Sequence, residues 1–388
     1  MKITDIRTLS VRLEGAMSNA LVSFDDHDVS LVAVISDVMR NGRPVAGIGF
    51  NSIGRYAQRG ILLGRVRPRV LATPPGTLLD ATGDRFDPAA VLKAAMRNEK
   101  PGGHGERASA IAAVELAVWD LNAKLHHRPA CVEIAAATGR AAPDPCVAVY
   151  AAGGYYYQPE ARRTLRDELR AYLDSGFDAF KIKVGGAPEV EDLRRIEVAL
   201  DLLGDGARLA VDANGRFDLP GGLAFGRRIE GYGLRWYEEI GDPLDYATNQ
   251  ALTHHYRGAI ATGENLFSLP DVRNLLNFGG MRPGRDIFQM DAGLSYGLTE
   301  YLRMIDLLEA RGFDRAQVFP HGGHLINLHI VAGLGLGGCE AYPGVFRPFG
   351  GYPESCPVEA GRVRPSAAPG FGLEEKPDIA VEIARLLA

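Results

Sequence analysis

A parallel barrel of eight strand–helix units carrying a separate α+β cap is the architecture this sequence predicts, and three observations predict it. From about residue 146, short apolar strand texts alternate with helix-length connectors. The first 125 residues read instead as a strand meander followed by helices. Polar residues recur at the strand ends once per unit. Strand–helix alternation implies parallel pairing, and eight such units close into a barrel. At 388 residues the chain also exceeds what one compact core usually holds.

The cap opens with "ITDIRTLSVRL" and "VSLVAVISDVM", turns at Asn41-Gly42 and returns through "PVAGIGF", the pattern of antiparallel strands. In "ERASAIAAVELAVWDLNAKL", Ile111, Val114, Val118 and Leu121 fall three or four apart and mark one buried helical face. The cap therefore takes residues 1–125 and the barrel 126–347. The barrel strands are "CVAVYAA", "AFKIKV", "RLAVDAN", "LRWYEE", "AIATGEN", "DIFQMD", "QVFPH" and "GCEAY". After the second, Val190, Leu193, Ile196 and Leu200 share one helical face. The Gly- and Pro-rich tail, 348–388, ends in the short helix "PDIAVEIARLL" and is expected to pack back on the cap.

Composition excludes several classes. With 46% hydrophobic and 23% charged residues and a formal net charge of -5, the chain has no electrostatic footprint for nucleic acid or an anionic membrane. Four scattered cysteines, Cys131, Cys146, Cys339 and Cys356, form no metal-binding pair and read as buried thiols of a reducing compartment. No stretch of 18 apolar residues occurs and the N-terminus lacks a signal-like core, so a cytoplasmic location is expected.

The strand-end residues carry the chemistry. Lys183, Asp212, Glu238, Glu264, Asp291 and His321 follow one another at intervals of 26 to 30 residues, about the length of one strand–helix unit. All sit at carboxyl ends of strands, which converge on one rim of a parallel barrel. Asp212, Glu238 and Glu264 on that rim would repel and raise one another's pKa, whereas a divalent cation turns the repulsion into attraction. Oxygen ligands favour a hard ion, magnesium before calcium or manganese. Strand alternation turns the adjacent Glu239 away from Glu238.

Lys181 and Lys183 are two apart on one strand and face the same way. Two ammonium groups beside a divalent cation are expected to depress the lysine pKa and leave a usable base. Across the barrel, Asp291 would fix the tautomer of His321 and raise its basicity, making His321 a second acid or base. His324 and His329 read as structural.

The set "KIK", "VDAN", "WYEE", "GEN", "QMD" and "PH", with the helix text "AVWDLNAK", resembles the enolase superfamily, in its mandelate-racemase-like group, over nearly the whole chain. One departure is "EEIGDP", which lacks the proline the family commonly places directly after the second glutamate. The resemblance implies a (β/α)7β modified TIM barrel, α/β in class, capped by an α+β domain built from the N-terminal region and the C-terminal tail. The loops "GAMSNAL" and "FNSIGRYAQ" would close on the substrate. It also implies a Mg2+-dependent lyase that dehydrates a small hydroxy-dicarboxylic acid, with Lys183 as the α-proton base and His321 as the acid. Sugar-acid dehydration, racemisation and a non-catalytic acid-binding barrel are the alternatives. Expected substrate contacts are Asn19, Asn51, Arg55 and Lys100 from the cap side, Tyr157 from the first barrel loop, and Glu340 and Tyr342 from the eighth strand. The expected partners are a small organic acid and further copies of the chain.

Overall fold

The computed structural model describes residues 1–15, 17–157 and 164–388; Ala16, in the first expected cap loop, lies outside the described residues. Ile3–Arg12, Asp28–Arg40 and Arg43–Phe50 form an antiparallel sheet in that order. The last two strands are joined by Asn41 and Gly42, both at positive φ (50° and 76°), the backbone a tight hairpin needs. Helix Glu106–Leu125 lies across the sheet, and its approach explains two glycines. A Cβ on Gly47 would stand 2.0 Å from the Ala117 carbonyl oxygen, and one on Gly49 2.5 Å from that of Ala113.

The barrel strands are Val147–Gly153, Phe180–Lys183, Leu209–Asp212, Trp236–Glu238, Ile260–Thr262 and Ile287–Phe288, each parallel to the next. Cys339–Ala341 pairs with the first strand. The seventh position is not a regular strand. "QVFPH" contributes one parallel bridge, Phe288 to Val318, and beyond it the His321 N–H reaches the Gln289 carbonyl at 3.3 Å out of regular register. Among the described residues, seven helices lie in the connections, from Leu165–Asp174 to Leu325–Leu334. Among the described residues, no helix is long and apolar enough to cross a membrane.

Tyr150, Ala179, Ala210, Trp236, Ala261 and Phe319 pack together as the barrel floor. Counting two residues on from the floor places Lys181, Asp212, Glu238 and His321 inside, above it, with Lys183 two further on. The fifth strand needs a correction in phase. Ala261 is a floor residue, so simple alternation would turn Glu264 outward, but Gly263 at φ 127° resets the chain after the strand.

Helix Glu189–Leu203 buries Leu193 and Ile196, while Val190 is 76% exposed and does not share that face. The tail divides between cap and barrel instead of joining the cap alone. A hairpin, Val358–Glu359 and Arg362–Val363, adds antiparallel to the first barrel strand. The terminal helix Pro377–Leu387 lies on the cap strands, where the Arg7 guanidinium donates to the Leu387 carbonyl at 2.7 Å. Cys131, Cys339 and Cys356 are buried, whereas Cys146 is half-buried.

Candidate active site

Lys183, Asp212 and Glu238 are register partners on three adjacent strands, so the backbone ladder sets them side by side. One carboxylate oxygen each from Asp212, Glu238 and Glu264 lies within 4.8 Å of the others. Lys183 Nζ donates to Asp212 Oδ2 at 2.5 Å, and Lys181 Nζ stands 2.5 Å from Glu238 Oε1 and 2.7 Å from Glu340 Oε1. Asn214 donates to Asp212 Oδ2 at 3.3 Å, and the Trp236 indole N–H to Glu238 Oε2 at 2.7 Å.

The donor set suits a hard divalent cation. Three carboxylates converge at the mouth, with Glu239 and Glu340 nearby, and the two lysines do not balance them. Burial first, then the Asp212 charge, push Glu238 up to about 8 against the pull of Lys181. Burial and then Glu264 and Asp212 drive Glu239 well above the usual carboxylate range. A bound cation would reverse these shifts.

The lysines correct an expectation. Burial lowers the pKa of Lys183, but Asp212 outweighs it and the repulsion from Lys181, so the metal-free site holds the ammonium form. Lys181 is likewise held charged, against burial, by Glu238 and Glu340. A ligand that drew the Asp212 carboxylate away would remove the main support of the Lys183 ammonium. Glu239 is a second correction. It follows the end of its strand with φ 39°, so alternation fails there and its carboxylate accepts from Asn265 Nδ2 at 2.8 Å, on the cleft side.

Opposite the lysines, His321 Nδ1 lies 3.3 Å from Asp291 Oδ2, Nε2 lies 3.1 Å from the Tyr342 hydroxyl, and Nε2 is 3.8 Å from Glu264. Burial disfavours the imidazolium, but Glu264, then the Asp291 hydrogen bond, raise it to about 9. At neutral pH the metal-free site thus carries a protonated His321. His324 and His329 are held neutral by burial, at about 4 and about 3.

The expected substrate contacts divide. Glu340 lies in the site, pairing with Lys181 and accepting the Gly322 N–H at 2.9 Å, and Tyr342 reaches His321. Asn19 and Arg55 line a cleft of about 440 Å³ between cap loops and barrel, with Asn214, Glu239 and Glu264 below. Arg55 also donates to Asn265 Oδ1 at 2.8 Å. Three candidates do not join them. Asn51 is wholly buried and spends its amide on the Ser30 N–H and the Ser52 and Arg55 carbonyls, bracing its own loop. Tyr157 turns its hydroxyl to Glu168 at 2.7 Å. Lys100 is exposed and meets the neighbouring Arg107 through its carbonyl.

Several residues at the site escaped sequence reasoning. Tyr155 places its ring 5.1 Å from Lys183 Nζ. His27, 5% exposed, stacks on Tyr56 at the cleft wall. Trp236 and Asn214, two residues from Glu238 and Asp212, were readable as same-side neighbours. Tyr155 and His27 lie in loops without periodicity.

Comparison with known proteins bears on this geometry. The family model described as enolase C-terminal domain-like matches residues 164–379. A 3,6-anhydro-alpha-L-galactonate cycloisomerase of Streptomyces coelicolor is 31% identical over 60% of each chain. An L-talarate/galactarate dehydratase of Salmonella typhimurium is 27% identical over 79% of this chain and 71% of its own. The first curated relatives are thus matched over 60% of their length. Among solved structures, a racemase from Streptomyces coelicolor with bound magnesium superposes with a TM-score of 0.76 over 98% of each chain at 23% identity, a likeness of fold. With the family model spanning more than half of its residues, this chain belongs to the enolase C-terminal domain-like family of the enolase superfamily.

Proposed function

We propose that the protein is a magnesium-dependent dehydratase of a small hydroxy-dicarboxylic acid, converting D-tartrate to oxaloacetate and water. The observation that carries this is the placing of two proton-handling groups around one carboxylate trio, Lys183 beside Asp212 and His321 beside Glu264. In its strand-end motifs the chain resembles D-tartrate dehydratase. Its relatives include a dehydratase of a related acid.

Asp212, Glu238 and Glu264 would hold the magnesium, which supplies positive charge against the negative charge that builds as an α-proton leaves. Lys183, freed of its proton, takes the hydrogen at C2. His321, protonated through Glu264 and Asp291, gives its Nε2 proton to the departing C3 hydroxyl, and water leaves. The resulting enol tautomerises to oxaloacetate. Lys181 is locked between Glu238 and Glu340 and orients the base side of the site. Arg55 is the guanidinium among the described cleft residues and is suited to the distal carboxylate.

Racemisation or sugar-acid dehydration would use the same two faces. An assay of tartrate isomers and aldonic and aldaric acids with magnesium separates them. Loss of D-tartrate with appearance of oxaloacetate is expected; turnover confined to a longer acid, or to epimerisation, overturns the substrate choice.

A further inference from the structure

Asn327 lies wholly buried in the first turn of the helix Leu325–Leu334, which follows the seventh strand position. Its amide nitrogen faces three acceptors: Asp291 Oδ1 at 3.3 Å, the Gly322 carbonyl at 3.1 Å and the His321 carbonyl. Turning the amide over would set an oxygen against three oxygens, so the contacts themselves fix its orientation. Asp291 Oδ1 also accepts the Gly293 N–H at 2.8 Å. Two donors therefore occupy that oxygen and leave Oδ2 to His321 Nδ1. The same amide grips the backbone of His321 and Gly322, so one side chain holds both members of the Asp291–His321 pair.

The segment it braces is also held by the Phe319 and His321 N–H groups, which donate to the Phe288 and Gln289 carbonyls at 2.9 and 3.3 Å, and by the Gly322 N–H on Glu340 Oε2 at 2.9 Å. The seventh strand position is a single bridge, and Gly322 stands at φ 91°, where an added Cβ would lie 2.4 Å from Ser52 Oγ and 2.8 Å from Asp291 Oδ2. The Asn327 backbone N–H donates to His324 Nδ1 at 3.3 Å, which leaves the His324 Nε2–H to meet Ser52 Oγ at 3.0 Å. Ser52 belongs to the cap, so the bracket reaches from the cap loop to the acid side of the site.

We propose that Asn327 is a positioning residue that holds the Asp291–His321 pair in place for proton delivery and leaves the Lys183 side untouched. Its kinetic consequence rests on the dehydratase function proposed above; its structural consequence does not. Partners of this kind, acting through another group, are typically worth about 10- to 100-fold in activity.

The test compares N327L, close in size but without a donor, with the unaltered protein and with H321N. In deuterated water with magnesium and D-tartrate, N327L is expected to lose about 10- to 100-fold in dehydration kcat, with KM and the exchange of the C2 proton within about twofold. An equal fall of dehydration and exchange, or unchanged dehydration, overturns the proposal. Independently, histidine-labelled metal-free protein is followed by NMR. The His321 Nδ1–H signal, assigned by its loss in H321N, is expected to exchange with water at least about tenfold faster in N327L, and unchanged exchange overturns the proposal. If the unaltered protein turns over no acid, the dehydratase function alone fails and the NMR comparison decides. Should N327L fail to fold, N327S, too short to reach Asp291, is read in the same way.

Discussion

At the level of single residues, the proposed base and the proposed acid have different supports. Lys183 is held by Asp212, and His321 by Glu264 and Asp291. Lys183→Ala should abolish exchange of the substrate α-proton, a fall of at least about 10²- to 10⁴-fold, while magnesium affinity holds or tightens because Asp212 loses a competing cation. Exchange that persists in deuterated water would place the base elsewhere. Glu238 supplies a pH dependence with a definite sign. In the metal-free protein burial and the Asp212 charge raise its pKa above the usual carboxylate range, and a carboxylate must be ionised to bind a metal. Magnesium binding should therefore release a proton, and affinity should rise with pH, by at most about tenfold per unit, until it levels above that pKa. Calorimetry in buffers of different ionisation heat reads this directly, and a pH-independent affinity would contradict it. The residues at regular strand-end phase were legible in sequence because a period of one strand–helix unit is a geometric rule. Glu239, Asn51 and Tyr157 were not, since a positive φ, a self-braced loop and a neighbouring Glu168 are tertiary facts.

At the level of elements, the joints between cap and barrel matter most. Glu115, on the long cap helix, is fully buried and accepts the N–H groups of Leu298 and Thr299 at 2.8 and 2.9 Å, the Thr299 hydroxyl and the Trp119 indole N–H. It thus caps the helix Leu298–Ala310, which follows the sixth strand and its Asp291, with a carboxylate at the positive end of the dipole. Glu115→Ala leaves several buried donors unpaired and should lower stability by about 3 kcal/mol, measured by urea unfolding of the metal-free protein; a change below about 1 kcal/mol would show that water or repacking replaces the carboxylate. Helix periodicity made the long cap helix visible, yet "VEL" gave no hint that its glutamate faces a barrel helix. The seventh strand misled for a local reason. "QVFPH" has strand-like apolar content and sends the Phe319 and His321 N–H groups to the sixth strand, but its pairing is regular at one bridge, and Asn327 shares in the bracing.

Across the whole molecule, the alternation of strands and helices was enough to forecast a capped barrel, because parallel pairing with helical crossovers has few other closed solutions. The tail was less legible. Its two-residue strands carry no periodic signal, and only the barrel's first strand shows what they pair with. The fold matters for function because it brings residues from three successive strand ends, Asp212, Glu238 and Glu264, within reach of one ion, with Lys183 and His321 at its edges. A crystal structure of the protein grown with magnesium tests this most directly. One ion at about 2.0–2.1 Å from an oxygen of each of the three carboxylates is the expected result; an ion bound elsewhere, or a trio that binds none, would contradict it.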